Sequence, residues 1–186
     1  MLKRGGFYFL PKPFGRTTLG VATMTELSEK VLALLGENAR YSFAEMADVL
    51  GVPETEVKRA VEELEKSKTI VKYAAILNTE VLRDKKVQAL IEVKVSPQKL
   101  KGFESCAEAI CNFSEVQSLY LMSGGFDLAV FVEGKDIGAI AQFVAERLSV
   151  LDGIVGVATH FILKKYKIEG QITRPDESNK REIIQA

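Results

Sequence analysis

The front part of the chain places apolar side chains at helical spacing. The first set falls at positions i, i+4, i+7 and i+8: Leu27, Val31, Leu34 and Leu35. This spacing predicts a helix that begins near Thr25 and buries one side. Gly36 and Asn38 are typical of the end of such a helix, so we expect it to stop there.

Two further helices are predicted on either side of a tight turn. Ser42 and Glu45 have the spacing of a capping box, which starts a helix at Phe43, and Gly51 is placed to end it. Pro53 suits the opening of the next helix. The buried stripe of that helix is predicted to be Val57, Ala60, Val61 and Leu64. This arrangement predicts a helix-turn-helix, followed by a short strand or wing over TIVKYAAILN.

In a helix-turn-helix the second helix enters the major groove, led by its N-terminal residues. The candidate DNA-binding residues are therefore Thr55, Glu56, Lys58 and Arg59. Lys58 and Arg59 can contact phosphate or guanine, and a glutamate can accept from cytosine. Glu62 and Glu63 repel the DNA backbone, so an ordinary helix with a solvated charged face remains an alternative.

The back part of the chain alternates apolar and polar residues, which is typical of strands. Residues 87–95 form one such run, and EVQSLYLMS and FDLAVFVE form two more. Gly124 and Gly125 lie between the latter two. We expect them to form a two-residue hairpin loop of the type that needs positive φ.

The remaining elements complete a β-α-β-β-α-β order. Helices are predicted after Ser96-Pro97 and after Asp136, and a last strand over IVGVATHFILKKYK. This order predicts a ferredoxin-like domain, so the fold class is α+β, with a helix-turn-helix domain first. The helices cover one face of the sheet. The other is predicted to carry an apolar set that implies a partner subunit: Leu90, Leu119, Leu121, Phe131 and Ile162.

Composition adds the distribution of charge and the limits of the domains. The 186 residues include 25 basic and 25 acidic side chains. Residues 24–83 carry 8 basic and 11 acidic side chains, a net charge of −3, so charge alone does not indicate DNA binding. Cys106 and Cys111 suit reduced thiols. The predicted domains are a basic extension (1–23), a helix-turn-helix domain (24–72), a linker or strand (73–86), a ferredoxin-like effector and oligomerisation domain (87–168) and a polar tail (169–186).

This layout resembles that of the leucine-responsive/asparagine-responsive (Lrp/AsnC) transcription regulators over about residues 25–168. SGGFDLAVFV is similar to the family's Ser-Gly-x-Tyr/Phe-Asp-Leu loop, and LDGIVGVATHFIL is similar to its Leu-x-Gly-Val-…-Thr-x-Phe-x-Leu ending. LGVPETEVKRAVEELEKSKTI looks like the family's recognition helix and its exit. The chain departs from the family at Ala60, where arginine is usual, at Glu62 and Glu63, where basic residues are common, and at Lys68, which replaces a glycine.

The resemblance implies a cytoplasmic regulator that binds double-stranded DNA and a small effector, often an amino acid. Family members bind the effector at the hairpin loop, where effector domains of neighbouring dimers meet. The effector-binding residues implied here are Ser123, Gly124, Gly125, Phe126, Asp127 and Thr159. Glycine N–H groups can approach a carboxylate closely, and Asp127 can accept from an ammonium. The alternative is a tight turn whose Asp127 bonds to backbone at an oligomer interface. We expect a homodimer and a higher oligomer of dimers.

Two other functions remain open at this point. The acidic recognition helix suits an effector-sensing oligomer that has lost DNA recognition. The other alternative is an enzyme, because siroheme decarboxylases resemble this architecture. The single histidine, His160, lies within an apolar strand and suits a core or interface position better than tetrapyrrole chemistry. We expect no catalytic residue, no metal, no cofactor and no membrane span.

Overall fold

A computed structural model describes residues 24–79, 82, 85–96 and 102–173 of the chain. The described residues up to Leu77 belong to one compact unit, and those from Asn78 onward belong to a second. The predictions for residues 1–23, for the helix start at Pro97 and for residues 174–186 lie outside the described residues.

The first unit contains three helices around one core. They are α1 (Glu26–Glu37), α2 (Phe43–Leu50) and α3 (Glu54–Lys66). The whole predicted stripe of α3 is buried against Val31 and Met46. The apolar periodicity therefore predicted the buried sides of α1 and α3 correctly.

Local capping defines the turn between α2 and α3. The Ser42 hydroxyl accepts from the Glu45 N–H at 3.2 Å, and the Glu45 carboxylate accepts from the Ser42 N–H at 2.8 Å. Gly51 is left-handed, with φ 65° and ψ 35°, and Pro53 is the N-cap of α3. The predicted capping box and glycine cap are confirmed, and they fix the geometry of a helix-turn-helix.

The segment after α3 differs from its prediction. Residues 71–78 run without regular secondary structure, so the strand predicted over TIVKYAAILN does not form. A strand exists only where a second strand supplies hydrogen-bond partners for its backbone, and among the described residues no strand pairs with this segment. Before this segment, Lys68 at the end of α3 has φ 61°.

The second unit is a four-stranded antiparallel sheet with two helices. The elements are β1 (Val87–Val95), α4 (Gly102–Cys111), β2 (Val116–Leu121), β3 (Leu128–Gly134), α5 (Ile137–Phe143), which continues as a π-helical turn (Val144–Leu148), and β4 (Ile154–Phe161). The strand order β2-β3-β1-β4 confirms the ferredoxin-like fold. Its core lies between the helices and one sheet face and includes Ile91, Val130, Ile140 and Leu148.

The pairing of β2 with β3 corrects part of the predicted open face. Leu119 pairs with Val130 and Leu121 with Leu128, and both partners belong to the helix-covered core. Residues directly opposite in an antiparallel pair project to the same face, so Leu119 and Leu121 face the helices rather than the open side. A register shift between Val116 and Ser118 helps set this pairing.

The open face carries a different aromatic residue. Leu90 and Phe131 pair across β1 and β3 on this face, as expected. Ile162 lies on the same face, because its N–H bonds to the carbonyl of Gln88, which faces this side. Tyr120 joins them, with its ring 5.9 Å from that of Phe131 in an edge-to-face arrangement. The open face is therefore apolar at its centre, although two of its five predicted residues were wrong.

The last predicted strand is shorter than expected. β4 ends at Phe161, and the Ile162 N–H makes one more bond to the Gln88 carbonyl at 2.8 Å. β1 begins at Val87, so it offers no partner beyond that point. The chain then forms a small hairpin of β5 (Lys167–Ile168) and β6 (Gln171–Ile172). The boundary predicted between the effector domain and the polar tail, at 168/169, falls inside this hairpin.

Candidate DNA-contacting helix and effector loop

The exposed side of α3 presents the four predicted DNA-binding residues. Thr55, Glu56, Lys58 and Arg59 are all exposed, because the opposite side of the helix is buried in the core. Lys58 Nζ lies 4.0 Å from Glu62 Oε1, and Arg59 Nε lies 4.0 Å from Glu63 Oε1. Each cation therefore has a carboxylate one helical turn away, which reduces the positive field that this helix offers to DNA.

The loop between β2 and β3 is longer than the sequence predicted. Strand pairing ends at Leu121 and Leu128, which leaves residues 122–127 as a six-residue connection closed by the Met122 N–H on the Asp127 carbonyl at 2.8 Å. Neither Gly124 nor Gly125 has a positive φ. The predicted two-residue hairpin is therefore wrong, because a six-residue loop can reverse the chain without left-handed residues.

The two loop glycines are surrounded by open space. A Cβ built on Gly124 or Gly125 meets nothing within 4 Å, and both residues are exposed. Ser123 is also exposed, whereas Phe126 is half-buried. Within the described part of this chain, no packing requirement explains the absence of side chains at Gly124 and Gly125. Their backbone N–H groups remain open to close approach by another molecule.

Asp127 joins the loop to the end of β1. Its N–H donates to the Val93 carbonyl at 3.0 Å, and its Oδ2 accepts from the Val95 N–H at 2.8 Å. The register of β1 against β4 shifts between Lys94 and Val95, and the carboxylate supplies an acceptor at this irregularity. The aspartate in an apolar run is thus partnered by backbone within its own chain, as the alternative interpretation expected.

The same end of β1 is also tied to the turn that precedes β4. The Ser96 N–H donates to the Gly153 carbonyl at 2.8 Å, and Gly153 has φ 93°. The loop, the last residues of β1 and this turn form one connected backbone network. No sequence signal indicated these contacts, because the partners of Val95 and Ser96, the Asp127 carboxylate and the Gly153 carbonyl, are distant along the chain.

Thr159 lies apart from the loop in a single chain. It pairs with Ile91 on β4, the edge strand opposite β2, and Ile91 faces the helix-covered core. Asp127 lies on the other side of β1 from Thr159, three residues further along that strand than Ile91. Strand spacing therefore puts the Cα atoms of Asp127 and Thr159 roughly 14 Å apart. A single chain therefore does not bring Thr159 into contact with the loop.

His160 occupies the open sheet face rather than the core. Its Nε2 lies 3.3 Å from Glu92 Oε1, and 56% of its side chain is exposed. Cys106 and Cys111 are both free, as expected. Among the described residues, no cluster of three or more potential metal-ligating side chains occurs, and none of the helices has the length and apolarity to span a membrane.

Comparisons with known proteins agree with both domains. Residues 24–65 match the AsnC-type helix-turn-helix domain and residues 88–172 match the Lrp/AsnC ligand binding domain. The helix-turn-helix-type regulator YugG of Bacillus subtilis is 41% identical over 162 residues, which cover 87% of this chain and 98% of YugG. LrpA of Pyrococcus abyssi is 32% identical over 142 residues, 76% of this chain and 98% of LrpA.

A solved structure from Neisseria meningitidis, a transcriptional regulator in complex with L-methionine, aligns with a TM-score of 0.63 at 25% identity. The alignment covers 81% of this chain and 96% of that one. Two matched domains in the same order and relatives covered almost end to end lead to one conclusion: the chain belongs to the Lrp/AsnC family of transcription regulators.

Proposed function

We propose that this regulator binds DNA sequence-specifically through α3 and that an amino acid bound at the loop 122–127 controls it. The observation that carries the proposal is the bond between Asp127 and the Val95 N–H, because it connects an open glycine loop to the end of a core strand. A ligand held at this loop therefore acts directly on the backbone network of the domain. A regulator of this kind works where the DNA is, so we expect it in the cytoplasm.

The chemistry of the loop suits a zwitterion. Gly124 and Gly125 offer N–H groups without side chains, which favours an α-carboxylate. The Asp127 bond to Val95 uses Oδ2, and Oδ1 is the oxygen that we assign to the ligand's ammonium group. The structure of a regulator with L-methionine in N. meningitidis supports an amino acid as the class of effector.

A second subunit completes the proposed site. Ser123, Gly124 and Gly125 are exposed, so the loop of one chain covers only one side of a small ligand. Small-molecule sites normally bury most of the ligand surface. We therefore place the site between subunits, with Thr159 contributed by a neighbouring chain in a homodimer or an oligomer of dimers.

Calorimetry against the twenty amino acids tests this site. We expect at least one of them to bind the unaltered chain at millimolar concentration or below. Asp127→Asn keeps an oxygen that can accept from the Val95 N–H but removes the charge. It should cost about 1.5–3 kcal/mol of binding, roughly 10- to 150-fold in Kd, with little change in Tm.

Asp152→Asn is the matched control, because Asp152 is an exposed aspartate in a turn outside the loop. It should leave affinity unchanged. Unchanged affinity in Asp127→Asn, or no binding by any amino acid, would return Asp127 to a purely structural role.

A second function is favoured by one observation, the pairing of Lys58 with Glu62 and of Arg59 with Glu63. If these pairs cancel the DNA-binding charge, the chain senses an effector without binding DNA. The double variant Glu62→Gln with Glu63→Gln separates the two functions. A DNA-binding α3 should gain affinity for every duplex tested, whereas a chain that has lost DNA recognition should show no binding before or after the change.

A further inference from the structure

One end of the sheet in the second unit carries a concentration of lysines. The chain enters β1 at this end, and β4, its antiparallel neighbour, finishes here. Two lysines therefore precede β1 and three follow β4, and we call them the lysine cluster: Lys85, Lys86, Lys164, Lys165 and Lys167. All except Lys165, which is half-buried, are exposed.

The two parts of the cluster flank the neighbouring strands β1 and β4, and Lys86 contacts the Glu133 carboxylate. Lys86 Nζ is 2.7 Å from Glu133 Oε1, and Gln88 donates to Glu133 Oε2 at 2.9 Å. Hydrogen bonds from Lys86 and Gln88 hold the pKa of Glu133 below its usual value, and the charges of Lys86 and Lys165 act in the same direction. The Ile162 N–H donates to the Gln88 carbonyl at 2.8 Å, so strand pairing brings the segment after β4 beside the start of β1.

The segment that carries the last three lysines has a fixed backbone. It begins at Ile162, bound to the Gln88 carbonyl. Thr173 is buried, and its N–H donates to the Tyr166 carbonyl at 3.1 Å while its hydroxyl donates to the Lys165 carbonyl. The Lys164 ammonium lies 5.2 Å from the centre of the Tyr166 ring. The lysines therefore project from an ordered surface.

The charge of this cluster contrasts with that of the helix-turn-helix. Residues 24–77 contain 7 basic and 10 acidic side chains, and the two cations on the exposed side of α3 each have a glutamate nearby. Proteins that bind duplex DNA neutralise phosphates with lysine and arginine and release counterions. The five cations of the lysine cluster outnumber Glu133 and Glu169, the acidic residues that the structure describes beside them, together with Asp84, which precedes Lys85 in the sequence, so the cluster is the basic surface that α3 lacks.

We propose that the lysine cluster is a second DNA-contacting surface, one that binds the phosphate backbone without reading sequence. The proposal rests on the DNA-binding part of the proposed function. It assigns affinity mainly to the lysine cluster and sequence preference to α3, because phosphate contacts position a protein and base contacts specify the site.

Salt-titrated binding of the full chain tests this division. The duplexes are the DNA upstream of its own gene and a shuffled sequence of the same length. The double variant Lys164→Gln with Lys167→Gln should lower the slope of log affinity against log salt by about 0.9 for each phosphate that is no longer neutralised, up to about 1.8. The decrease should be equal on both duplexes. Replacing the same two residues with arginine should restore the slope, because the charge is kept.

Lys94→Gln is the matched control, since Lys94 is an exposed lysine at the opposite end of β1. It should leave the slope unchanged. The cluster is ruled out if the double variant matches the unaltered chain while Lys58→Ala weakens binding, an outcome that preserves the proposed function. A decrease confined to the upstream duplex would also overturn backbone contact. Absence of any DNA binding by the unaltered chain would overturn both proposals.

Discussion

At the scale of single residues, a few positions hold conformations or charges that the neighbouring structure must support. Lys68 ends α3 with φ 61°, and its N–H donates to the Glu65 carbonyl at 3.1 Å. A side chain in this left-handed region is strained by its Cβ, by roughly 1–2 kcal/mol. The family's usual glycine would avoid that strain, so Lys68 is a position where this chain carries a cation at the expense of stability.

Lys68→Gly should therefore raise Tm. Part of the relieved strain is offset by the greater freedom of glycine in the unfolded chain, roughly 0.4–1 kcal/mol, so we expect a net gain of about 0.5–1 kcal/mol. Lys66→Gly is the control, because Lys66 is the last residue of α3 and has no left-handed strain to relieve, so glycine there should lower the stability, by at most about 0.5–1 kcal/mol. Thermal unfolding measures both, and a lower Tm for Lys68→Gly would show that its side chain contributes more than the strain costs.

Glu133 gives a pH-dependent contribution with a defined sign. Its pKa is lowered from the ordinary value of 4.5, so its stabilising effect is fully present above that value and disappears as the pH falls through the folded-state pKa. Glu133→Gln should cost about 0.5–1 kcal/mol at pH 7. The difference from the unaltered chain should shrink below pH 4. Tm recorded across this range checks the sign, and an equal difference at all pH values contradicts it.

At the scale of elements, the open sheet face is the surface with an unmet packing requirement. Leu90, Phe131 and Tyr120 lie on it with His160 and Glu92 beside them. An aromatic and aliphatic patch on a sheet with one covered face is typical of an association surface. We therefore propose that second copies of the chain meet there.

Phe131→Asp should dissociate the full chain, because it places an unpaired charge at the centre of that contact. Leu121→Asp is the control: Leu121 is 70% exposed and aligned with the helix-covered side, so the association should survive. Sedimentation at micromolar concentration distinguishes the two variants. Dissociation by Leu121→Asp alone would move the interface to the edge of the sheet.

The same elements show which features a sequence can predict. The capping box at Ser42 and the left-handed Gly51 depend on residues within one turn of the chain, so they could be predicted correctly. The face of Leu119 depends on a register that shifts near Ser118, and the partner of Asp127 is the Val95 N–H, 32 residues away. Strand register, loop length and contacts between side chains and backbone are set by residues far apart in sequence, so they became visible only in the folded chain.

At the scale of the whole molecule, we propose that the two domains have different roles in binding DNA and effector. The helix-turn-helix supplies an exposed α3 whose cations Lys58 and Arg59 each have a glutamate nearby, and the effector domain supplies an open loop and a lysine cluster. An effector can regulate DNA binding only through a difference in affinity between the free and DNA-bound forms, and this coupling is reciprocal. The bond between Asp127 and Val95 is the contact through which we expect loop occupancy to reach the rest of the domain.

The most direct test measures DNA affinity at fixed salt with and without the amino acid that calorimetry identifies, in the unaltered chain and in Asp127→Asn. We predict that the amino acid changes the Kd for DNA by about 5-fold or more in the unaltered chain, within the range of about 5- to 150-fold usual for allosteric coupling. The same concentration should have little effect in Asp127→Asn. An equal response in both proteins, or a bound amino acid that leaves DNA affinity unchanged, would contradict effector control through this loop.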